Sequence, residues 1–112
     1  MKLEVGMYVR TNNNGIAKIK GINNNFLLLD KIPQSVFIQN VIRASHTLLG
    51  NDKEPCLIEV GDIITYKTDI GSIRVQDVHN SVVIAMIKNK EIEVLSIVTK
   101  EQFESMSYRL EE

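Results

Sequence analysis

Few side chains in this sequence are suited to covalent or metal chemistry. It carries two histidines, His46 and His79, and one cysteine, Cys56. A zinc site needs three or four Cys, His or carboxylate ligands converging on one point, and neither histidine has such a companion at ligand spacing. Solvated or hydrogen-bonding roles are expected for both. Nucleophilic catalysis needs a thiol or hydroxyl beside a positioned base, and no local motif around Cys56 or any serine supplies one. Gly-rich phosphate loops are missing as well. The sequence reads as a non-enzyme, with no catalytic, metal or cofactor residues to assign.

What remains is recognition. Lys18, Lys20 and Arg74 alternate with apolar residues in two Ile- and Val-containing runs, with Arg10 and Lys67 in neighbouring runs and Tyr8 and Tyr66 nearby. On outward strand faces such a set suits phosphate contacts and base stacking. It equally suits a protein interface anchored by an aromatic residue. Thirteen Lys and Arg against 14 Asp and Glu give a formal net charge of −1, and aromatics are only 5% of the chain. Bulk charge therefore exerts no general pull on polyanions. Outward lysines also have the plainer use of discouraging edge-to-edge sheet pairing. A protein partner is the leading expectation, with Lys18, Lys20, Tyr66 and Arg74 as candidate partner-binding residues. Nucleic-acid binding is the first alternative, and sequestration of a small nucleotide between two halves of the chain is the second.

The elements that would position these residues follow from a repeat. Leu3-Glu4-Val5-Gly6 returns as Ile58-Glu59-Val60-Gly61, and the order of apolar, glycine and turn residues after each copy corresponds. With one residue inserted, Gly15 falls on Gly71, Lys18 on Arg74, Ile19 on Val75, and Phe26-Leu27-Leu28 on Val82-Val83-Ile84. Short runs bounded by Asn and Gly turns are a strand grammar. Strands are predicted at 7–10, 16–22, 26–29 and 36–38, then at 63–67, 72–78, 82–88 and 91–95. A single helical turn is predicted at 40–44, and a tight turn at Asn89-Lys90. Val5, Val9, Ile19, Leu28, Val60, Ile64, Val75 and Ile84 are the expected core, because their apolar character recurs in both copies.

Thr99-Lys100-Glu101-Gln102 fits a capping box, predicting a short helix at 100–105, after which 107–110 would add a closing strand. The polar stretch 47–57, punctuated by Gly50 and Pro55, separates a first repeat at 1–46 from a second at 58–112. At 112 residues each half is of marginal size for its own core, so packing on the other half or on a second chain, as in a homodimer, is expected. One unpaired cysteine suits a reducing compartment. No stretch has the roughly 20 apolar residues of a membrane span and no signal-like start is seen, so a cytoplasmic protein is expected.

Val5-Gly6-x-x-Val9 followed by Gly15-Ile16-Ala17-Lys18-Ile19 resembles the opening of Tudor-like small barrels of the Src-homology-3 type, as do Val60 to Ile64 and Gly71 to Val75. That resemblance implies a mainly β fold of two tandem, internally duplicated small antiparallel β-barrels with a short C-terminal helix. A second resemblance covers nearly the whole chain. Leu3 to Thr11, Ile42 to His46, Leu57 to Asp62 and Ser96 to Leu110 look like a family of small phage and prophage proteins of Gram-positive bacteria. This chain departs from that pattern by the polar residues around Gly50 to Pro55. The family implies a phage-associated role, such as inhibiting a host defence or redirecting a host complex, and lends no catalytic residues.

Overall fold

The computed structural model describes residues 2–104. The chain divides into two compact units, Met1–Leu57 and Ile58–Glu112. Both are mainly β, and each contains one antiparallel sheet.

The first unit contains β1 (Tyr8–Thr11), β2 (Gly15–Asn23), β3 (Phe26–Leu29), β4 (Val36–Phe37) and β5 (Val41–Ser45), with one 3-10 turn at Ile38–Asn40. The strand order is β4-β3-β2-β1-β5. Before β1, the Met7 amide donates to the Glu4 carbonyl at 3.2 Å. Gly6 has φ +99° in that turn, the positive value demanded at the third position of a type II turn. Gly15, with φ +71°, ends the first hairpin, and Asn24, with φ +53°, lies in the second. Both Asn and Gly turn signals therefore sit where the chain reverses.

The pairing of β2 with β3 shifts between Ile19 and Gly21, so Lys20 forms a bulge at which the long strand bends. Inward from this sheet point Met7, Val9, Ile19, Leu27, Leu29, Val36 and Ala44, the buried core. Residues 26–29 alternate, with Leu27 and Leu29 buried and Phe26 and Leu28 exposed. The strand is covered on one face only, and the expected core residue Leu28 points outward. The helical turn expected at 40–44 is instead the last residue of the 3-10 turn followed by β5, which pairs with β1.

The second unit contains β6 (Ile63–Thr68), β7 (Ile73–Asp77), α1 (Ser81–Lys88) and β8 (Ile92–Val98), in strand order β7-β6-β8. Its opening repeats that of the first unit. The Asp62 amide donates to the Glu59 carbonyl at 3.2 Å, and Gly61 has φ +104°. The Gly6 amide meets the Ile19 carbonyl at 2.9 Å, and the Gly61 amide meets the Val78 carbonyl at 2.8 Å. The return bonds also match, from the Ile19 amide to Met7 at 2.8 Å and from the Val78 amide to Asp62 at 2.7 Å. Val78 thus occupies the position of Ile19, and Val75 does not. The second hairpin has four additional residues, so the apolar match of Ile19 with Val75 is out of step.

This offset corrects the expected core. Val9, Ile19 and Ile64 are buried, and Val78 is buried in place of Val75, which is 69% exposed. Ile84 is half-buried. Val5 and Val60 are exposed, because each precedes the glycine in its tight turn and projects away from the sheet.

The strand expected at 82–88 is α1. The Asn80 side chain accepts the Val82 amide at 2.9 Å, which starts a helix despite three β-branched residues in a row. At its end the Lys90 amide reaches Ile87 at 3.1 Å and the Glu91 amide reaches Met86 at 3.0 Å. This is a Schellman cap, with Lys90 at φ +61°. The expected Asn89-Lys90 turn exists, but it joins a helix to a strand. The two units consequently differ in strand order: α1 stands where the first unit has its middle strands.

The capping box at Thr99 forms as expected. The Thr99 amide donates to the Gln102 side chain at 3.0 Å, and the Gln102 amide donates to the Thr99 hydroxyl at 3.2 Å. Residues 100–104 are helical. The expected last helical residue and the closing strand at 107–110 lie outside the described residues.

Ile19→Ala and Ile64→Ala should each lower stability by roughly 2–5 kcal/mol, while Val75→Ala should stay within about 0.5 kcal/mol of wild type, as read by denaturant melts. An equal loss in all three would overturn the hairpin offset. Lys90→Gly should raise stability by about 1 kcal/mol by relieving the positive-φ conformation; a lower melting temperature would contradict the Schellman cap.

Candidate functional site

The four residues singled out in the sequence divide between the units. Lys18 and Lys20 lie on β2 and are exposed, while Arg74 lies on β7 and Tyr66 on β6. Lys18 pairs across the ladder with Tyr8, and its ammonium lies 5.8 Å from the centre of the Tyr8 ring. That distance is within cation–π range. Lys20 is the bulged residue immediately before Gly21.

Two expectations about this basic face fail. Arg10 is fully buried, and its guanidinium donates to the Leu57 carbonyl at 2.8 Å. It holds the segment after β5 to the sheet and offers nothing to a partner. Tyr66 is only 8% exposed. Its hydroxyl donates to Gln76 at 3.1 Å, so this strand residue is committed to the fold and is no loop aromatic. Arg74 stands directly opposite Tyr66, on the same face of the second sheet, and remains exposed. It lines an open cavity of about 550 Å³ with Tyr66, Asp69, Met86, Lys90 and Glu91.

The sequence reading did not single out a surface on the first unit. Phe26 and Phe37 are cross-strand partners with ring centroids 4.6 Å apart and planes at 35°. Both are exposed, as is Leu28, two residues along β3. Gly21 lies opposite Leu28, and a Cβ there would meet Leu28 Cδ1 at 3.2 Å. The bare glycine gives the leucine room to lie across β2. Together Phe26, Leu28 and Phe37 form an apolar outer face beside Lys20. Alternation could not reveal it, because Phe26 to Leu29 are all apolar and either parity suits a strand.

His46 lies beside this unit's folded loop. Its Nδ1 is 2.8 Å from Glu54 Oε2, its own amide donates to the same oxygen at 3.2 Å, and its Nε2 is 3.7 Å from Glu4. The loop is braced by the Asn51 side chain, which accepts the Lys53 and Glu54 amides at 2.8 and 2.9 Å. The Glu54 hydrogen bond and charge, with a smaller contribution from Glu4, raise the imidazole pKa above its ordinary value near 6.5. His79 is exposed, with Nδ1 3.4 Å from the Asp77 carbonyl, and Cys56 is half-buried and forms no disulfide. Among the described residues, no group of three or more His, Cys, Asp or Glu side chains is placed to hold a metal ion. Likewise, no helix among them is long and apolar enough to cross a membrane.

In the second unit the Asp62 carboxylate is buried. Asp62 accepts the Glu59 amide at 2.9 Å through one oxygen and the Lys100 amide at 3.0 Å through the other. It thereby satisfies the open N–H groups of a turn and of a helix start together. Lys100 also bridges to Glu59 at 3.0 Å. This is structural chemistry within the unit.

Searched against protein-family models, curated proteins and solved structures, the chain gives no match in any of the three.

Because the folded-state pKa of His46 is raised, its contribution to stability is fully present below the unfolded value and is lost as pH rises through the folded one. Wild type should therefore exceed His46→Gln in melting temperature at acid pH, and the gap should close above neutrality. A gap that widens with pH would refute the Glu54 pairing. Glu54→Gln should flatten the same pH dependence.

Proposed function

We propose that this chain is a non-enzymatic binding protein, encoded by a phage or prophage and acting in the bacterial cytoplasm on a partner protein. The observation that carries this reading is the outer face of the first unit, where Phe26, Phe37 and Leu28 remain exposed. Aromatic anchors at the centre of a contact, ringed by polar and charged groups, are what dominate protein interface energies. Lys20 supplies that margin, and Lys18 extends it along β2. Binding through such a face needs no reactive group, which accords with the residues available.

The same proposal includes the finer fold. The order β4-β3-β2-β1-β5, the bend of β2 at Lys20 and the 3-10 turn before the last strand support a small barrel of the Tudor-like, Src-homology-3 type for the first unit. The second unit would be its altered repeat. It keeps the opening turn, the first hairpin and the last strand, and has α1 in place of the middle strands.

Nucleic acid is the second reading, favoured by the Lys18 ammonium over the Tyr8 ring. The two readings separate in one experiment. Tagged wild type, the Phe26→Ser/Phe37→Ser pair and the Lys18→Gln/Lys20→Gln pair are used to retain partners from host lysate, and binding of the recovered partner is then titrated with salt. A protein partner should lose about 2 kcal/mol or more with the serine pair and little with the glutamine pair. Full binding by a folded serine variant would sink the proposal. A recovered nucleic acid whose salt slope falls by about one per lysine removed would replace it.

A further inference from the structure

In the second unit β7 lies at one side of the sheet, and among the described residues no strand pairs with its outer edge. Backbone bonds fix which of its groups face outward. The Thr68 amide donates to Ser72 at 2.9 Å and the Val78 amide to Asp62 at 2.7 Å, so Ser72 and Val78 direct their bonding groups at β6. By the alternation of an antiparallel ladder, Arg74 and Gln76 do the same. Ile73, Val75 and Asp77 therefore direct N–H and C=O at the open edge. Of these six groups, and among the described residues, only the Asp77 carbonyl is approached, by His79 Nδ1 at 3.4 Å. Ile73 and Val75 are also 67% and 69% exposed in their side chains. Natural edge strands usually carry a proline, a bulge or an inward charge as protection; β7 has no proline and its ladder from Ile63–Asp77 to Lys67–Ile73 is unbroken, while its inner-face charge, Arg74, is exposed.

We infer that this edge is a self-association surface, on which β7 of a second copy of the chain adds antiparallel in a register centred on Val75. The backbone restricts the choice, because bonding groups must meet bonding groups. Antiparallel registers are therefore limited to those that set Ile73, Val75 and Asp77 against one another. A register centred on Arg74 would place two arginines directly opposite, which destabilises a pair. One centred on Gln76 leaves Ile73 without a bonding partner in the strand. Centring on Val75 uses all three residues of both copies. It places Arg74 opposite the second copy's Gln76 and sets the two Val75 side chains side by side. It also brings charges of opposite sign into one row of the outer face. Lys67 is the β6 partner of Ile73, and Ile73 then stands opposite the second copy's Asp77. A lysine stem lying over Ile73 carries its ammonium toward that carboxylate.

The surface belongs to the second unit and does not depend on the partner-binding face proposed for the first. Sedimentation velocity of the full chain across the micromolar range tests it, with circular dichroism melts to check folding. Wild type is expected to pass from monomer to dimer as concentration rises. Val75→Pro removes an outward amide and leaves the β6 ladder intact, and Val75→Lys places a charge at the centre of the interface. Both should stay folded and weaken dimerisation on the order of tenfold or more. Asp77→Lys should weaken it as well, and Lys67→Asp added to Asp77→Lys should restore it. A wild type that remains monomeric throughout, or a dimer unaffected by folded Val75→Lys, would overturn the inference.

Discussion

Each unit is organised around one backbone device, a glycine at positive φ whose amide is bonded to the opposite strand. Gly6 and Gly61 have φ of +99° and +104°, a region that other L-residues enter at a cost of about 1–2 kcal/mol. The glycine amide donates to the carbonyl of one residue on or just past the next strand, and that residue's amide donates back to the residue after the glycine: Ile19 to Met7 in one unit, Val78 to Asp62 in the other. That exchange fixes the register of the first hairpin, and register decides which side chains reach the core. Met7, Val9 and Ile19 are buried in the first unit as a consequence, and Asp62, Ile64 and Val78 in the second. The second copy adds a side-chain constraint. Asp62 ties the turn to the start of the final helix through both carboxylate oxygens, and a Cβ on Gly61 would meet the Lys100 side chain at 3.2 Å. A residue larger than glycine would disturb turn and helix together.

From this common start the units diverge because their hairpins differ in length. In the first, β2 is long enough to bulge at Lys20 and pair onward with β3, so the inner and outer halves of one strand serve both sides of the sheet. In the second, the added residues extend the hairpin outward beyond the shared bonds, and α1 follows where pairing with a third strand would begin. A helix satisfies its own backbone, so it does not cover the outer groups of β7. Among the described residues no strand pairs with that edge of β7, beside which Ile73 and Val75 stand exposed.

The sequence disclosed what depends on local chemistry. The matched Leu3 to Gly6 and Ile58 to Gly61 turns, the Asn and Gly reversals and the Thr99 capping box rest on residues within four positions of each other, and all form. It concealed what depends on parity and offset. Apolar residues at 73 and 75 seemed to be the counterparts of Ala17 and Ile19 with one residue inserted, but the true counterpart of Ile19 is Val78, three residues further on, and that odd offset reverses their parity and turns them outward. Val82 to Ile84 have the composition of a strand, yet Asn80 starts a helix and the Lys90 cap closes it. Arg10 and Tyr66 look like surface groups by type. Both are buried and bond to groups distant in sequence, the Leu57 carbonyl and the Gln76 side chain, which no spacing rule reveals. Of the candidate partner residues, Lys18 and Lys20 are accessible as alternation implies; Arg74 is accessible too, but on the face it shares with buried Ile64 and Tyr66, opposite to the one alternation gave it, and the aromatic expected to anchor them is buried.

The exposed apolar positions carry information because folding does not demand them. In β3, Leu27 and Leu29 supply the core, so positions 26 and 28 could be polar at no loss to the interior. The same holds for Ile73 and Val75, which face away from Ile64 and Tyr66. Single exposed apolar residues are ordinary on soluble proteins. These differ because they are matched across strands: Phe26 meets Phe37, and Leu28 lies over a glycine that makes room for it. Polar residues there would leave the hairpin bonds and the buried leucines unchanged, so neither hydrogen bonding nor core packing explains the choice. The proposed contact with another surface would account for it, since such a contact converts the same apolar area into binding energy at about 25 cal/mol per Å² before the losses of association are subtracted. Under the proposed function, strand parity separates two tasks, with folding on the inner positions and recognition on the outer ones.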